Sequence, residues 1–117
     1  CAFYERTALF ADYDGVANGP DEGINIAKAL GEKDFVILQN HGILTTGTMV
    51  DTTIWYFLNM EDACKSQLLA EAVGKPIIIP HETACAPRDY VANDLSAYVS
   101  FQPTVDVLWE EEPDLLD

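Results

Sequence analysis

His41 has the clearest potential for chemistry in this chain of 117 residues, because it lies in Asn40-His41-Gly42 between two apolar runs. The run Phe35–Leu38 predicts a strand that ends just before it, and Gly42 is expected to let the backbone turn sharply. Ligands of layered α/β folds collect at strand ends, and a neutral imidazole binds zinc and similar ions well. A lone histidine more often hydrogen-bonds a turn carbonyl, however, since a metal site needs about three protein ligands.

Other candidates for chemistry carry weaker signals. His81 is forty residues from His41, and nothing in that spacing forces the two together, so a surface position is favoured over a ligand role. Residues 12–15 resemble the start of a calcium loop, but Val16 and Gly23 stand where oxygen ligands are required, which favours a polar turn. Phosphate-binding glycine motifs are missing from the sequence, and no catalytic Ser-His-Asp or Cys-His arrangement is readable from residue order.

Composition excludes several classes of protein. Hydrophobic residues make up 49%, which is enough for a core, and the net charge of -14 disfavours nucleic-acid and membrane-surface partners. No run of about 18 apolar residues exists, which excludes a transmembrane helix. The three cysteines form no C-x-x-C pair and predict buried or free thiols in a reducing compartment, so a cytoplasmic location is expected.

Strand and helix patterns alternate along the chain. The predicted elements are a strand at Thr7–Ala11, a helix from Pro20 that Gly31 ends, strands at Phe35–Leu38 and Ile43–Thr46, and a helix over Met49–Val73 that starts with a capping box of Thr48 and Asp51. Further along, Ile77–Ile79 predicts an edge strand or extended segment, Glu82–Ala92 and Leu95–Ser100 are partly helical, and a last helix starts at Pro103. This pattern predicts an α/β layered domain. Its three or four strands are few, which indicates missing strands upstream.

A longer segment resembles the class II aldolase/adducin family. It runs from Phe35 through Asn40-His41-Gly42 to Leu44 and Gly47, and continues in the long helix with Glu61-Asp62-Ala63-Cys64, Gln67-Leu68-Leu69 and then Gly74-Lys75-Pro76. The opening Cys1–Tyr4 and the stretches Phe101–Pro103 and Glu112–Asp117 are similar to a fungal-type branch of that family. The similarity extends over essentially the whole chain.

This resemblance implies a three-layer α/β/α domain of roughly twice this length, often assembled as a tetramer. Catalytic members bind zinc or a similar divalent ion through a His-x-His pair and a third histidine in the Asn-His-Gly turn, which here is His41. The chain contains no His-x-His pair. Residues 1–117 are therefore expected to be the C-terminal part of one such domain, with the upstream half in a longer chain or a companion chain.

The activity implied by the resemblance is that of a metal-dependent aldolase-type lyase. It would cleave or form a C–C bond in a small hydroxy-carbonyl substrate, with a divalent ion, expected to be zinc, as cofactor. A carboxylate of the upstream half would move the proton. The alternative is a non-catalytic, adducin-like assembly module, and in either case a homo-oligomer is expected.

Overall fold

The computed structural model describes residues 1–12 and 19–116. Within these ranges, three short strands form one sheet, and four α-helices follow the alternation that the sequence predicts. Their bounds are β1 Thr7–Phe10, α1 Pro20–Leu30, β2 Phe35–Leu38, β3 Gly42–Thr45, α2 Val50–Val73, α3 His81–Val91 and α4 Asp94–Glu111, with a final 3-10 turn at Pro113–Leu116. The calcium loop that the sequence argues against lies partly on residues 13–18, outside the described residues.

The sheet has the order β1-β2-β3, with β2 in the centre. Strands β1 and β2 are parallel, with Thr7 opposite Phe35 and Phe10 opposite Leu38. The pairing of β2 with β3 is antiparallel and places Leu38 opposite Gly42. The carboxyl ends of β1 and β2 therefore meet at one edge of the sheet, and the turn that contains His41 lies at that edge.

Helices cover both faces of the sheet. On one face, Ala8, Phe10, Val36 and Leu38 pack against the partly buried side chains of α1, namely Ile26, Ala29 and Leu30. On the other face, Phe35 packs with Tyr56 and Met60 of α2 and with Ala97 of α4. Because side chains alternate between the faces of a strand, the apolar run of β2 supplies both cores. The layered α/β prediction is confirmed.

Helix α2 begins one residue later than predicted and without the predicted capping box. Met49 is its N-cap residue and provides no side-chain cap. The hydroxyl of Thr48 instead donates to Oδ2 of Asp94 at 2.6 Å, at the start of α4. The capping-box prediction was wrong because a contact between two helices takes the hydroxyl that would have capped one of them.

The C-terminal region contains one long helix where the sequence predicts two. Helix α4 continues through Pro103, although proline has no amide proton to donate to the carbonyl of Val99, four residues earlier. Packing along α2 outweighs the local cost of the proline. Asn93 caps the start of α4, since its Oδ1 accepts from the amide of Ser96 at 2.9 Å.

The described part of the chain is less compact than a complete domain of its length. The radius of gyration is 16.4 Å, whereas about 13 Å is expected for a compact chain of this size. Residues 77–79 join no strand of the described sheet, so the edge-strand alternative for them was wrong, and Ile77 is 97% exposed. None of the described helices combines the length and the apolar character that crossing a bilayer requires.

Candidate functional site

His41 closes the tight turn that connects β2 to β3. Its amide donates to the carbonyl of Leu38 at 3.0 Å, and the amide of Gln39 donates to the carbonyl of Phe10 at 2.9 Å. Asn40 has a φ of 61°, and a positive φ at the third residue is the mark of a type II turn. The turn is thus fixed to the ends of both parallel strands, and the exposed His41 lies at the ligand-prone edge of the sheet.

Asn40, and not Gly42, makes the sharp turn. Among the described glycines only Gly31 has a positive φ, and a Cβ added to Gly42 would meet no atom within 4 Å. Gly42 is simply the first residue of β3. The expectation that this glycine lets the backbone turn was wrong, because asparagine is one of the few residues that tolerate the left-handed region.

A cavity of about 740 Å³ opens at the same edge of the sheet, between the end of β1 and helix α1. Its polar lining is mostly acidic and consists of Asp12, Asp21, Glu22, Asn25 and Lys28. Within the described residues, Oε1 of Glu22 is buried and has no hydrogen-bond partner. His41 is not among the residues that line this cavity, so the described residues do not combine the imidazole and the carboxylates into one site.

The second histidine lies at the opposite end of the sheet. The Tyr4 hydroxyl is 3.0 Å from Nδ1 of His81, and a carboxylate oxygen of Glu5 is 3.6 Å from the same nitrogen. Tyr4 and Glu5 precede β1, whereas His41 follows the far end of β2, so roughly 10 Å of strand separates the two histidines. In the described ranges, the one group of three potential metal ligands contains His81 and excludes His41.

Arg6 organises the amino end of the sheet. Its Nε donates to Oδ2 of Asp34 at 2.6 Å, and its Nη1 donates to the carbonyl of Ala92 at 2.7 Å. The guanidinium carbon lies 5.3 Å from the ring centroid of Phe35 and 5.6 Å from that of Tyr56. The hydrogen bond to Asp34 raises the pKa of Arg6, and burial raises the pKa of Tyr56. Sequence reasoning missed this network; a lone arginine before the first strand of an acidic chain was the available signal.

The fold and the turn at the strand ends agree with the family to which the sequence is similar. A family model described as "Class II Aldolase and Adducin N-terminal domain" matches residues 1–68, more than half of the chain. The chain belongs to the class II aldolase and adducin family. The resemblance drawn from the sequence is thereby confirmed.

Individual relatives extend the match over nearly the whole chain. Decarboxylase NovR from Streptomyces niveus is 36% identical over 115 residues, which cover 98% of this chain and 43% of that protein. The solved structure of L-fuculose 1-phosphate aldolase from Glaciozyma antarctica PI12 superposes with a TM-score of 0.85 at 34% identity, over 97% of this chain and 42% of that one. Alpha-adducin of Rattus norvegicus is 40% identical over 68 residues, which are 56% of this chain. The chain spans less than half the length of the first two relatives.

Proposed function

We propose that this chain is part of a divalent-metal-dependent, aldolase-type lyase that acts on a small hydroxy-carbonyl substrate, and that His41 is one of its metal ligands. The observation that carries the proposal is the position of His41 in a chain of this family. Its imidazole follows a turn that is hydrogen-bonded to the carboxyl ends of two parallel strands, and it is exposed toward the edge where ligands bind in such sheets.

The residues present fit one ligand of such a site and not the whole of it. A neutral imidazole at a strand end suits zinc, the ion that we expect, and similar divalent ions. When bound, the ion would polarise the oxygens of a hydroxy-carbonyl substrate. The residues of this chain orient the imidazole. Asn40 turns the backbone through its left-handed conformation, and the amide of His41 donates a hydrogen bond to the carbonyl of Leu38.

We further propose that residues 1–117 are the C-terminal part of a single domain. The chain spans 43% of its decarboxylase relative and 42% of its aldolase relative. An apolar groove of about 510 Å³ between the sheet and α2 supports this proposal. The groove is lined mainly by Phe3, Ile37, Met60, Ala63, Cys64 and Leu68. We expect the remainder of the domain to occupy this groove, because burying its apolar side chains away from water is favourable.

The test uses the longer parent protein, or the complex with a companion chain, and compares His41→Ala with Gln39→Ala in the same exposed turn. Bound divalent metal and C–C bond cleavage are measured on each variant. We expect His41→Ala to lose the metal and the activity, whereas Gln39→Ala retains both. Metal content that His41→Ala leaves unchanged would show that this histidine is not a ligand.

The same test addresses the finer expectations. A parent protein without a bound divalent ion and without lyase activity would favour a non-catalytic, adducin-like module, which is the less favoured function because a scaffold has no need of an imidazole at this turn. Metal analysis of the parent would identify the ion. Sedimentation of the parent would test the expected homo-oligomer, and fractionation of its source cells the expected cytoplasmic location.

A further inference from the structure

Three side chains of metal-binding type meet at the amino end of the sheet, away from His41. They are Glu5 before β1 and the pair His81 and Cys85 on α3, and their potential ligand atoms all lie within 4.8 Å of one another. Nδ1 of His81 is 3.6 Å from Oε1 of Glu5 and 3.8 Å from Sγ of Cys85. We propose that these residues form a site for a thiophilic divalent ion such as Zn²⁺.

The helix places two of the three ligands side by side. His81 and Cys85 are four residues apart, a spacing that puts side chains on one helix face. Nε2 of His81 is also 3.6 Å from Sγ of Cys85, so both ring nitrogens lie close to the sulfur. Imidazole and thiolate are preferred zinc ligands, and a carboxylate is an accepted third ligand.

Glu5 is held in position by two features of its surroundings. Arg88, one turn of α3 beyond Cys85, donates to Oε2 of Glu5 at 3.1 Å, which leaves Oε1 toward His81. The backbone of Glu5 has a φ of 59°, and Asn40 is the one other described non-glycine residue with a positive φ. Such conformations persist where the surroundings determine them, and they concentrate at functional sites.

The observed separations are close to those of a zinc centre. With Zn–N near 2.0 Å, Zn–S near 2.3 Å and Zn–O near 2.1 Å, tetrahedral angles separate nitrogen from sulfur by about 3.5 Å and nitrogen from oxygen by about 3.3 Å. The nitrogen–oxygen and nitrogen–sulfur pairs therefore need shifts of only a few tenths of an ångström, while the oxygen and the sulfur, which lie within 4.8 Å of each other, move closer together. Water takes the fourth position. The Tyr4 hydroxyl, 3.0 Å from Nδ1, gives up that contact when the ion binds.

The site is exposed, since the side chains of His81 and Glu5 retain 62% and 51% of their accessible surface. An ion bound there would be open to solvent and to a chelator. It also connects the segment before β1 to the start of α3, which is distant in sequence. The site does not depend on His41 or on the proposed lyase activity, and its ligands include a thiolate that the His41 site does not have.

The test is a titration of the reduced chain with Co²⁺, followed by the thiolate-to-cobalt charge-transfer absorption. We expect the absorption to saturate at one equivalent, to be reversed by Zn²⁺ and to vanish in Cys85→Ser. His81→Ala and Glu5→Gln should each weaken binding about tenfold or more, the range that loss of a supporting group produces at metal sites. Cys64→Ser is the matched control that should bind as the unaltered chain does.

Two outcomes overturn the proposal. One is the lack of a charge-transfer band in the unaltered chain, and the other is a band that survives Cys85→Ser, whether Cys64→Ser or a substitution of the exposed Cys1 then removes it. Circular dichroism of each variant establishes that the helices remain, and Glu5→Gln, which leaves α3 unaltered, tests the site without changing the helix. Because the charge-transfer band requires a thiolate ligand, whereas the His41→Ala test of the proposed lyase site is read from metal content and C–C bond cleavage, failure of either site is distinguishable.

Discussion

The two ends of the three-stranded sheet differ in what their residues contact. At the amino end, Arg6 and Asp34 form an ion pair beside the buried rings of Phe35 and Tyr56. At the carboxyl end, His41 follows a short turn and is exposed, and an open acidic cavity that it does not line lies between the end of β1 and α1. The amino end combines a cation with buried aromatic rings, whereas the carboxyl end leaves its histidine exposed.

The difference indicates that contacts at the amino end stabilise the sheet, whereas the turn at the carboxyl end carries the candidate metal ligand. Burial and hydrogen bonding at the amino end fix where β1 and β2 start, and their parallel register fixes where they end. The turn before His41 therefore depends on that register as well as on its own hydrogen bonds to the carbonyls of Phe10 and Leu38. Stability of this chain and metal binding by its parent should respond to different substitutions.

The largest effect on stability is expected at Phe35. Its side chain is fully buried among Tyr56, Met60 and Ala97, so Phe35→Ala should lower the free energy of unfolding by about 3–5 kcal/mol. Ile37→Ala, on the same strand and the same face but 36% exposed, is the matched control and should cost less than half as much. Urea unfolding measures both, and equal losses would contradict the uneven packing of this face.

Arg6→Met should have the next largest effect. The substitution removes the donor 2.6 Å from Asp34 and the donor to the carbonyl of Ala92. Because these groups are only partly exposed, the free energy of unfolding should fall by about 1–3 kcal/mol. Lys65→Met removes an exposed cation from α2 and should leave the unfolding midpoint unchanged. A double-mutant cycle with Asp34→Asn tests the pair itself, and purely additive losses would show that no coupling exists.

A smaller effect is expected at the carboxyl end, where the turn depends on Asn40. Asn40→Ala should cost about 1–2 kcal/mol, because alanine is disfavoured at a φ of 61°. Asn40→Gly should be nearly neutral, and so should Gly42→Ala, since no atom lies within 4 Å of the added Cβ. The melting temperatures of the three variants test this order of effects. A large loss of stability in Gly42→Ala would show that Gly42 is needed for the sharp backbone turn, as the sequence suggested.

The smallest effect concerns pH. Burial raises the pKa of Tyr56, and the nearby Arg6 opposes that increase in part. Above the ordinary tyrosine pKa of about 10, the folded chain keeps a proton that the unfolded chain loses, so the free energy of unfolding falls as pH rises. A pH titration followed by tyrosinate absorption should include a phase above a pH of about 10, and Tyr56→Phe should remove that phase. If the substitution leaves the titration curve unaltered, the buried phenol does not titrate as inferred.

The regular elements were predictable where the sequence pattern was long or strongly apolar. The run Phe35–Leu38 predicted β2, and the apolar stripe after Met49 predicted α2 to within a residue. The location of His41 in a turn at a strand end followed from the same two runs. Local pattern was sufficient in these cases because the periodicity and the tertiary packing agree.

Predictions failed where a contact across the fold outweighed the local signal. Thr48 bonds to Asp94 in place of capping its own helix, and α4 continues through Pro103 because it packs along α2. In the group formed by Glu5, His81 and Cys85, Glu5 lies 76 or more positions before the other two residues. No spacing rule connects residues so distant, and only the folded chain brings them together.

The order β1-β2-β3 has a consequence for how this chain behaves when it is handled alone. Within the described residues, both outer strands pair on one side only, so each presents a row of backbone groups that can accept a further strand. The same rows that could extend the sheet inside a larger domain can also bind a second copy. We therefore expect self-association through these strand edges to increase with protein concentration. Leu9→Lys, at an exposed position of β1, should reduce it.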